Sequence, residues 1–206
     1  MSHCNQQLLK EARKGHLERI TRLLDLGADV NFRGKYGYTP LMEAASQGHV
    51  SSVHLLLQSG ADPLIGADDF APPTFYACVH GFTDVVKLLL NYGADANALR
   101  NDDCQVRPGD SRGISQLHIA LRHGFAEIAI ALIDAGANIN HVSFGLTPLQ
   151  EATTRNMANV VERIRKVDQA RTQIRAKDTA EQGAPGNRLK HVCSPIGVQP
   201  SRFPAL

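Results

Sequence analysis

An all-α solenoid of stacked helix-turn-helix repeats is the fold class that this sequence predicts, on three observations. Gly-Ala-Asp at 27–29 recurs at 60–62 and 93–95, then as Gly-Ala-Asn at 136–138, at intervals of 33, 33 and 43 residues. A second marker keeps the register: Gly15, Gly48, Gly81 and Gly124, with Asn156 in that role 32 residues later. Thr39-Pro40-Leu41 returns as Thr147-Pro148-Leu149 and, in weaker form, as Pro72-Pro73-Thr74 and Ser115-Gln116-Leu117. A fixed period of this size belongs to an array whose units contact mainly their neighbours.

Each element follows from its residues. Thr39 and Thr147 suit helix N-caps, and Pro40 and Pro148 fill a first turn in which no amide donor is needed. Leu41, Ala44 and Ala45 make an apolar stripe on a short first helix, with alanines small enough for close neighbours. Gly48, Gly81 and Gly124 end that helix in a left-handed conformation. Val53, Leu56 and Leu57 give the inner face of a second helix that Gly60 ends, and Ala-Asp-x-Asn then opens a hairpin-like loop to the next repeat. The first repeat is polar at Asn5-Gln6-Gln7, and the last replaces its leucine run with Arg163-Ile164-Arg165-Lys166. Both read as solvent-facing caps, the second with a helix to about Lys177 and a stripe of Val160, Ile164, Val167 and Ile174.

The period and the Thr-Pro-Leu words resemble the ankyrin repeat, a 33-residue unit with a Thr-Pro-Leu-His-x-Ala signature. The resemblance implies five repeats near 1–33, 34–66, 67–99, 110–141 and 142–174, with an insertion at 100–109. Residues 175–206 are then the end of the capping helix and a disordered tail, with four prolines and three glycines from Asp178 onward and no apolar periodicity. The insertion is either a partner-contacting finger or a tolerated surface loop, since extra loop length costs little entropy. Its Asp102 and Asp103, with Asp110, match no calcium-loop spacing.

Composition excludes several classes. The chain is 43% hydrophobic and 20% charged, with eleven aromatics, no Trp and a net charge of +2. An aliphatic core follows, and single-strand nucleic-acid folds, which need stacking aromatics, do not. Cys4, Cys78, Cys104 and Cys193 form no CxxC pair, which argues against a disulfide scaffold or structural zinc. The polar start lacks a signal peptide's apolar region and no run approaches a membrane span, so a cytoplasmic or nuclear location is the default expectation. Residues 159–206 carry nine Lys/Arg against four Asp/Glu, while the first 158 are net −3. That basic end reads as the solvated face of a capping helix; binding to nucleic acid or lipid there would fall steeply with salt.

No catalytic chemistry is legible. His16 and His49 occupy a Gly-His position common in ankyrin repeats and His118 the signature histidine. His80 and His123 stand in adjacent repeats, too far apart to share one metal. Cys78 aligns with Ala45 and reads as core. Phosphate loops, nucleophile elbows and paired-carboxylate motifs are absent from the sequence, so the expectation is no enzyme, no metal, no cofactor and no small-molecule substrate.

The resemblance implies a partner protein met by the loop tips and the outward surface of the first helices. Carried over position by position, the tips are Lys35, Tyr36 and Tyr38, then Asp68 and Asp69, then Arg112, then Phe144. The helix surfaces add Gln47, His80, Arg122, His123 and Arg155. Tyr, Phe and Arg are frequent interface hot spots; the plainer reading of Tyr36 and Phe144 is loop packed on loop. The trend from mixed charge at repeat two to basic at repeats four and five suggests a partner with an acidic patch toward the C-terminal end. Asn31, Asn97 and Asn140 match the loop asparagine that is hydroxylated in eukaryotic ankyrin proteins, unless they only support the loop. Arg188 to Cys193 resembles the start of a SOCS box, with Leu189 and Cys193 placed to dock elongin C. Under that alternative the chain is a substrate receptor of a cullin-type ubiquitin ligase with elongin B/C as partners, although Pro195 would break the helix just beyond. The leading expectation is a non-catalytic interaction scaffold.

Overall fold

The computed structural model describes residues 2–68, 71–100 and 113–182. Ten α-helices lie within them: α1 (Ser2–Lys14), α2 (Leu17–Asp25), α3 (Pro40–Ser46), α4 (Val50–Gln58), α5 (Pro73–His80), α6 (Thr83–Asn91), α7 (Gln116–Arg122), α8 (Ala126–Asp134), α9 (Pro148–Thr154) and α10 (Ala158–Gln182). Two two-residue strands, β1 (Leu99–Arg100) and β2 (Ile114–Ser115), pair antiparallel. The first compact unit ends at Val167 and the second begins at Asp168.

The order of packing is that of a solenoid. The first helices pack in succession, α1 on α3, then α5, α7 and α9, and the second helices form a parallel layer, α2 on α4, then α6 and α8. Leu41, Ala44 and Ala45 on α3, and Val53, Leu56 and Leu57 on α4, are all buried. Fully buried Leu89, Leu121, Ile128 and Leu132 continue that layer through later helices. The core is therefore one aliphatic strip rather than a central ball.

Local chemistry fixes the helix ends. The Thr39 hydroxyl accepts from Met42 N at 3.3 Å, and Ser115 Oγ accepts from His118 N at 3.2 Å. Thr147 and Gln150 form a reciprocal capping box, satisfying two otherwise orphan amides. In the weaker copy Pro72 holds the N-cap position without any side-chain bond. There Thr74 stands where the other words have leucine; it is fully buried and its hydroxyl has no partner. Thr74→Val should therefore raise unfolding free energy by roughly 1 kcal/mol in urea denaturation, because it removes an unsatisfied buried group of nearly equal shape.

The recurrent Gly-Ala-Asp words work as turns. Asp29, Asp62, Asp95 and Asn138 each accept, through the side chain, the amide two residues on, an Asx-turn. The asparagines that follow tie one turn to the next. Asn31 accepts from Asp62 N at 2.8 Å and donates to the Gly60 carbonyl at 3.2 Å. Asn97 repeats this with Asn138 N at 2.7 Å and the Gly136 carbonyl at 3.3 Å.

Rings form a second ladder between repeats. The residue after each helix-ending glycine stacks on the glycine of the repeat before it: His49 on Gly15, Phe82 on Gly48 and Phe125 on Gly81. A Cβ added at those glycines would lie 2.8, 2.7 and 2.7 Å from the ring. His49 Nε2 adds a bond to the Arg13 carbonyl at 3.1 Å, which makes that nitrogen the donor. At Gly124 the ladder stops: its φ is +76°, like Gly81 at +78°, yet nothing lies within 4 Å of an added Cβ. Asn156 takes the same left-handed conformation, φ +60°, in place of glycine.

At the C-terminal end two expectations are corrected. The last helix extends to Gln182 instead of ending near Lys177. Its apolar stripe holds at Val160 and Ile164, but Ile174 is 59% exposed and packs no core. No helix among the described residues is long and apolar enough to cross a membrane.

Candidate functional site

The first-helix side and the loops that precede it carry the predicted surface. Two of its loops are tight turns whose central residues both have positive φ: Tyr36 (+60°) with Gly37 (+74°), and Phe144 (+57°) with Gly145 (+77°). Around the second, Ser143 and Leu146 exchange both backbone hydrogen bonds, so Phe144-Gly145 is a two-residue hairpin loop. Such loops favour Asn-Gly because their first residue must be left-handed. A bulky ring there is uncommon and costs backbone energy.

The tips are anchored from behind. Asp68 N donates to the Tyr36 carbonyl at 3.0 Å. Arg33 reaches the same turn from the other side, donating to the Gly66 carbonyl at 2.8 Å and to Asp68 Oδ1 at 3.2 Å. That leaves the Tyr36 ring 63% exposed with the Lys35 ammonium 4.6 Å from its centroid. Tyr38 turns inward and packs on Tyr76 at 5.2 Å between ring centroids. Tyr76 escaped the sequence reading; a tyrosine where the aligned positions hold Glu43, Ile119 and Glu151 was the only signal.

Toward the other end, the Arg122 guanidinium lies 4.0 Å from the Phe144 ring centre, joining α7 to the next loop. His123 stacks on Phe125 with ring centres 5.6 Å apart and planes 11° from parallel. His80 faces Phe82 at 5.8 Å. Gln47 is exposed beyond α3 and donates to Ser46 Oγ at 3.3 Å. Arg155 is bound to the buried Glu151 at 2.6 Å, which fixes the direction of its side chain. Asp69 and Arg112 lie outside the described residues, as do Leu189 and Cys193 and residues 101–109 of the insertion.

The three asparagines divide. Both amide functions of Asn31 and Asn97 are occupied in the turn-to-turn ladder, whereas Asn140 is exposed and, among the described residues, donates its backbone amide alone.

Titratable groups here are structural in their surroundings. Burial pushes the Cys78 thiol far above its ordinary range, in keeping with a fully buried core position. A hydrogen bond from His16 holds the Glu11 carboxyl below its usual value, with Arg19 adding to it. His118 is buried with both ring nitrogens engaged, Nδ1 at 2.8 Å from Ser115 Oγ and Nε2 donating to the Leu146 carbonyl at 2.8 Å. It thereby ties α7 to the Phe144 hairpin. Among the described residues no three His, Cys, Asp or Glu side chains converge as metal ligands.

The family described as ankyrin repeats (3 copies) matches residues 7–67 and 74–178, most of the chain. The chain belongs to the ankyrin-repeat family. No curated protein matches it. Ankyrin repeats are generally protein-interaction modules, and the family is typically non-catalytic. In this ankyrin stack Tyr36 and Phe144 stand on the loops that precede the first helices α3 and α9, and Arg122 ends the first helix α7.

Proposed function

We propose that this chain is a non-catalytic scaffold or adaptor that binds a partner protein through its concave first-helix side and loop tips. The observation that carries this reading is the pair of aromatic rings held at strained, left-handed loop positions, Tyr36 and Phe144. Asparagine or glycine would satisfy those turns at lower cost. A large ring left 63% exposed at such a position, as Tyr36 is, adds little to the core and much to a contact surface. Arg122 over Phe144 extends that surface by a planar cation that can pair with a carboxylate while it stacks.

The test is partner capture from cell extract by the full chain and by the combined variant Tyr36→Ala, Arg122→Ala, Phe144→Ala. Proteins bound by the wild-type chain should be lost from a variant whose helical circular dichroism is unchanged. Retention of every captured protein would show that the binding surface lies elsewhere.

A further inference from the structure

The sequence places its excess of cations at the C-terminal end, but the described surface holds a second concentration at the other. Gln6, Leu9, Lys10 and Arg13 are spaced i, i+3, i+4 and i+7, so they form one stripe along α1. That stripe faces the loop Phe32–Lys35 and Tyr38, and the two enclose a groove of about 410 Å3. This lies within the ~300–1,000 Å3 range of ligand pockets, enough for a short segment rather than a whole protein face. Leu9, Phe32 and Gly34 supply its apolar surface, and Gly34 approaches Leu9 so closely that an added Cβ would clash with the leucine methyl.

Its charges are unbalanced. Neither Lys10 nor Lys35 makes an ion pair among the described residues, and the Lys35 ammonium stands 4.6 Å from the Tyr36 ring centre. Arg13 is 66% exposed and stands 3.9 Å from Glu43, a long and solvated contact. Arg33 is held by Asp68 and by the Gly66 carbonyl. Against these four cations the groove has a single carboxylate, Glu43, whose pKa is raised by burial and only partly restored by Arg13. An apolar floor under three available cations matches an apolar side chain flanked by carboxylates. The chain's own residues 183–206 do not fit, since they hold Arg188, Lys190 and Arg202 and no Asp or Glu.

We infer that the groove between α1 and the Phe32–Tyr38 loop is a docking site for a short acidic peptide segment carrying an apolar anchor. This rests on the protein-binding reading above and adds to it the chemistry and place of one contact. Lys10 and Lys35 receive the flanking carboxylates, Arg13 is recruited away from Glu43, and the anchor enters against Leu9 and Phe32.

The experiment is a selection from a randomised displayed-peptide library against the full chain, followed by anisotropy titration of the selected peptide. Selected sequences should hold Asp or Glu on both sides of a Leu, Ile or Phe. Lys10→Glu with Lys35→Glu should weaken that peptide at least tenfold with the thermal midpoint unchanged. Glu43→Gln should tighten it a few-fold, which a merely structural glutamate would not do. Arg122→Ala with Phe144→Ala should leave it within twofold. The inference is overturned if selection yields nothing or shows no acidic preference. It also fails if charge reversal leaves affinity unchanged, or if an oligothymidylate of equal charge displaces the peptide. Failure here, with captured proteins still lost from the Tyr36/Arg122/Phe144 variant, would remove the groove assignment alone. The reverse pattern would remove the loop-tip reading and keep the groove.

Discussion

Gly81→Ala should destabilise the stack by roughly 2–5 kcal/mol, whereas Gly124→Ala, at nearly the same backbone conformation, should cost only about 1–2 kcal/mol. Both glycines are left-handed, φ +78° and +76°, so both substitutions carry the same strain for an L-residue. They differ in what the new methyl meets. At Gly81 the Phe125 ring lies 2.7 Å away, well inside van der Waals contact; at Gly124 there is open space. The ring cannot easily yield, because it is stacked against His123 on its own repeat. The difference between the two variants therefore isolates one contact between neighbouring repeats from the backbone term. Urea unfolding of both, with Gly81→Ala repeated in a Phe125→Leu background, checks it. The cost at Gly81 should fall to the Gly124 level once the ring is removed. Equal costs at the two glycines in the wild-type background would mean that the ring ladder does not hold repeats together.

The fold was legible because each repeat word has a local physical task. Thr-Pro at 39–40 and 147–148 reads as a cap with a proline in the first turn, and both threonines donate no ambiguity about the helix start. Asn156 was readable as a glycine substitute because asparagine tolerates the left-handed region, where it lies at φ +60°. The ring ladder was less legible. Gly-His and Gly-Phe pairs mark it, but nothing in a single repeat says that the ring covers the glycine of the repeat before. That contact spans about one period and exists only after stacking.

The site was legible by position and not by conformation. Tyr36 and Phe144 were found from their place in the loop, yet their positive φ was signalled only by the glycine after each, where Asn-Gly would be ordinary. Tyr76 was missed because its contact with Tyr38 joins a helix to the loop one repeat earlier. The cationic groove was missed for a different reason. Net charge summed over 158 residues is −3 and hides Lys10, Arg13 and Arg33, which join the predicted tip residue Lys35 only when α1 meets the next loop.

Replacing the two strained rings by asparagine, Tyr36→Asn with Phe144→Asn, should separate stability from binding. Asparagine is the least costly side chain at the first position of such a turn, so each exchange relieves on the order of 1 kcal/mol of backbone strain. Against this, the half-buried Phe144 ring loses its contact with Arg122, worth about 0.5–1 kcal/mol, and a part of its loop packing. Tyr36 gives up little packing, being 63% exposed. Relief at the two turns and the packing lost at Phe144 are of similar size, so the thermal midpoint of the double variant should stay level. Binding should move the other way. Hot-spot aromatics typically contribute ~2 kcal/mol or more each, so affinity for a captured partner should fall by well over tenfold. The decisive measurement is both quantities on one sample: the thermal midpoint by circular dichroism, and partner affinity by titration, for wild type and Tyr36→Asn/Phe144→Asn. An unchanged midpoint with affinity reduced more than tenfold is the predicted result. Undiminished affinity, or a midpoint that falls by several degrees, would show that these rings hold loop to loop and do not meet the partner.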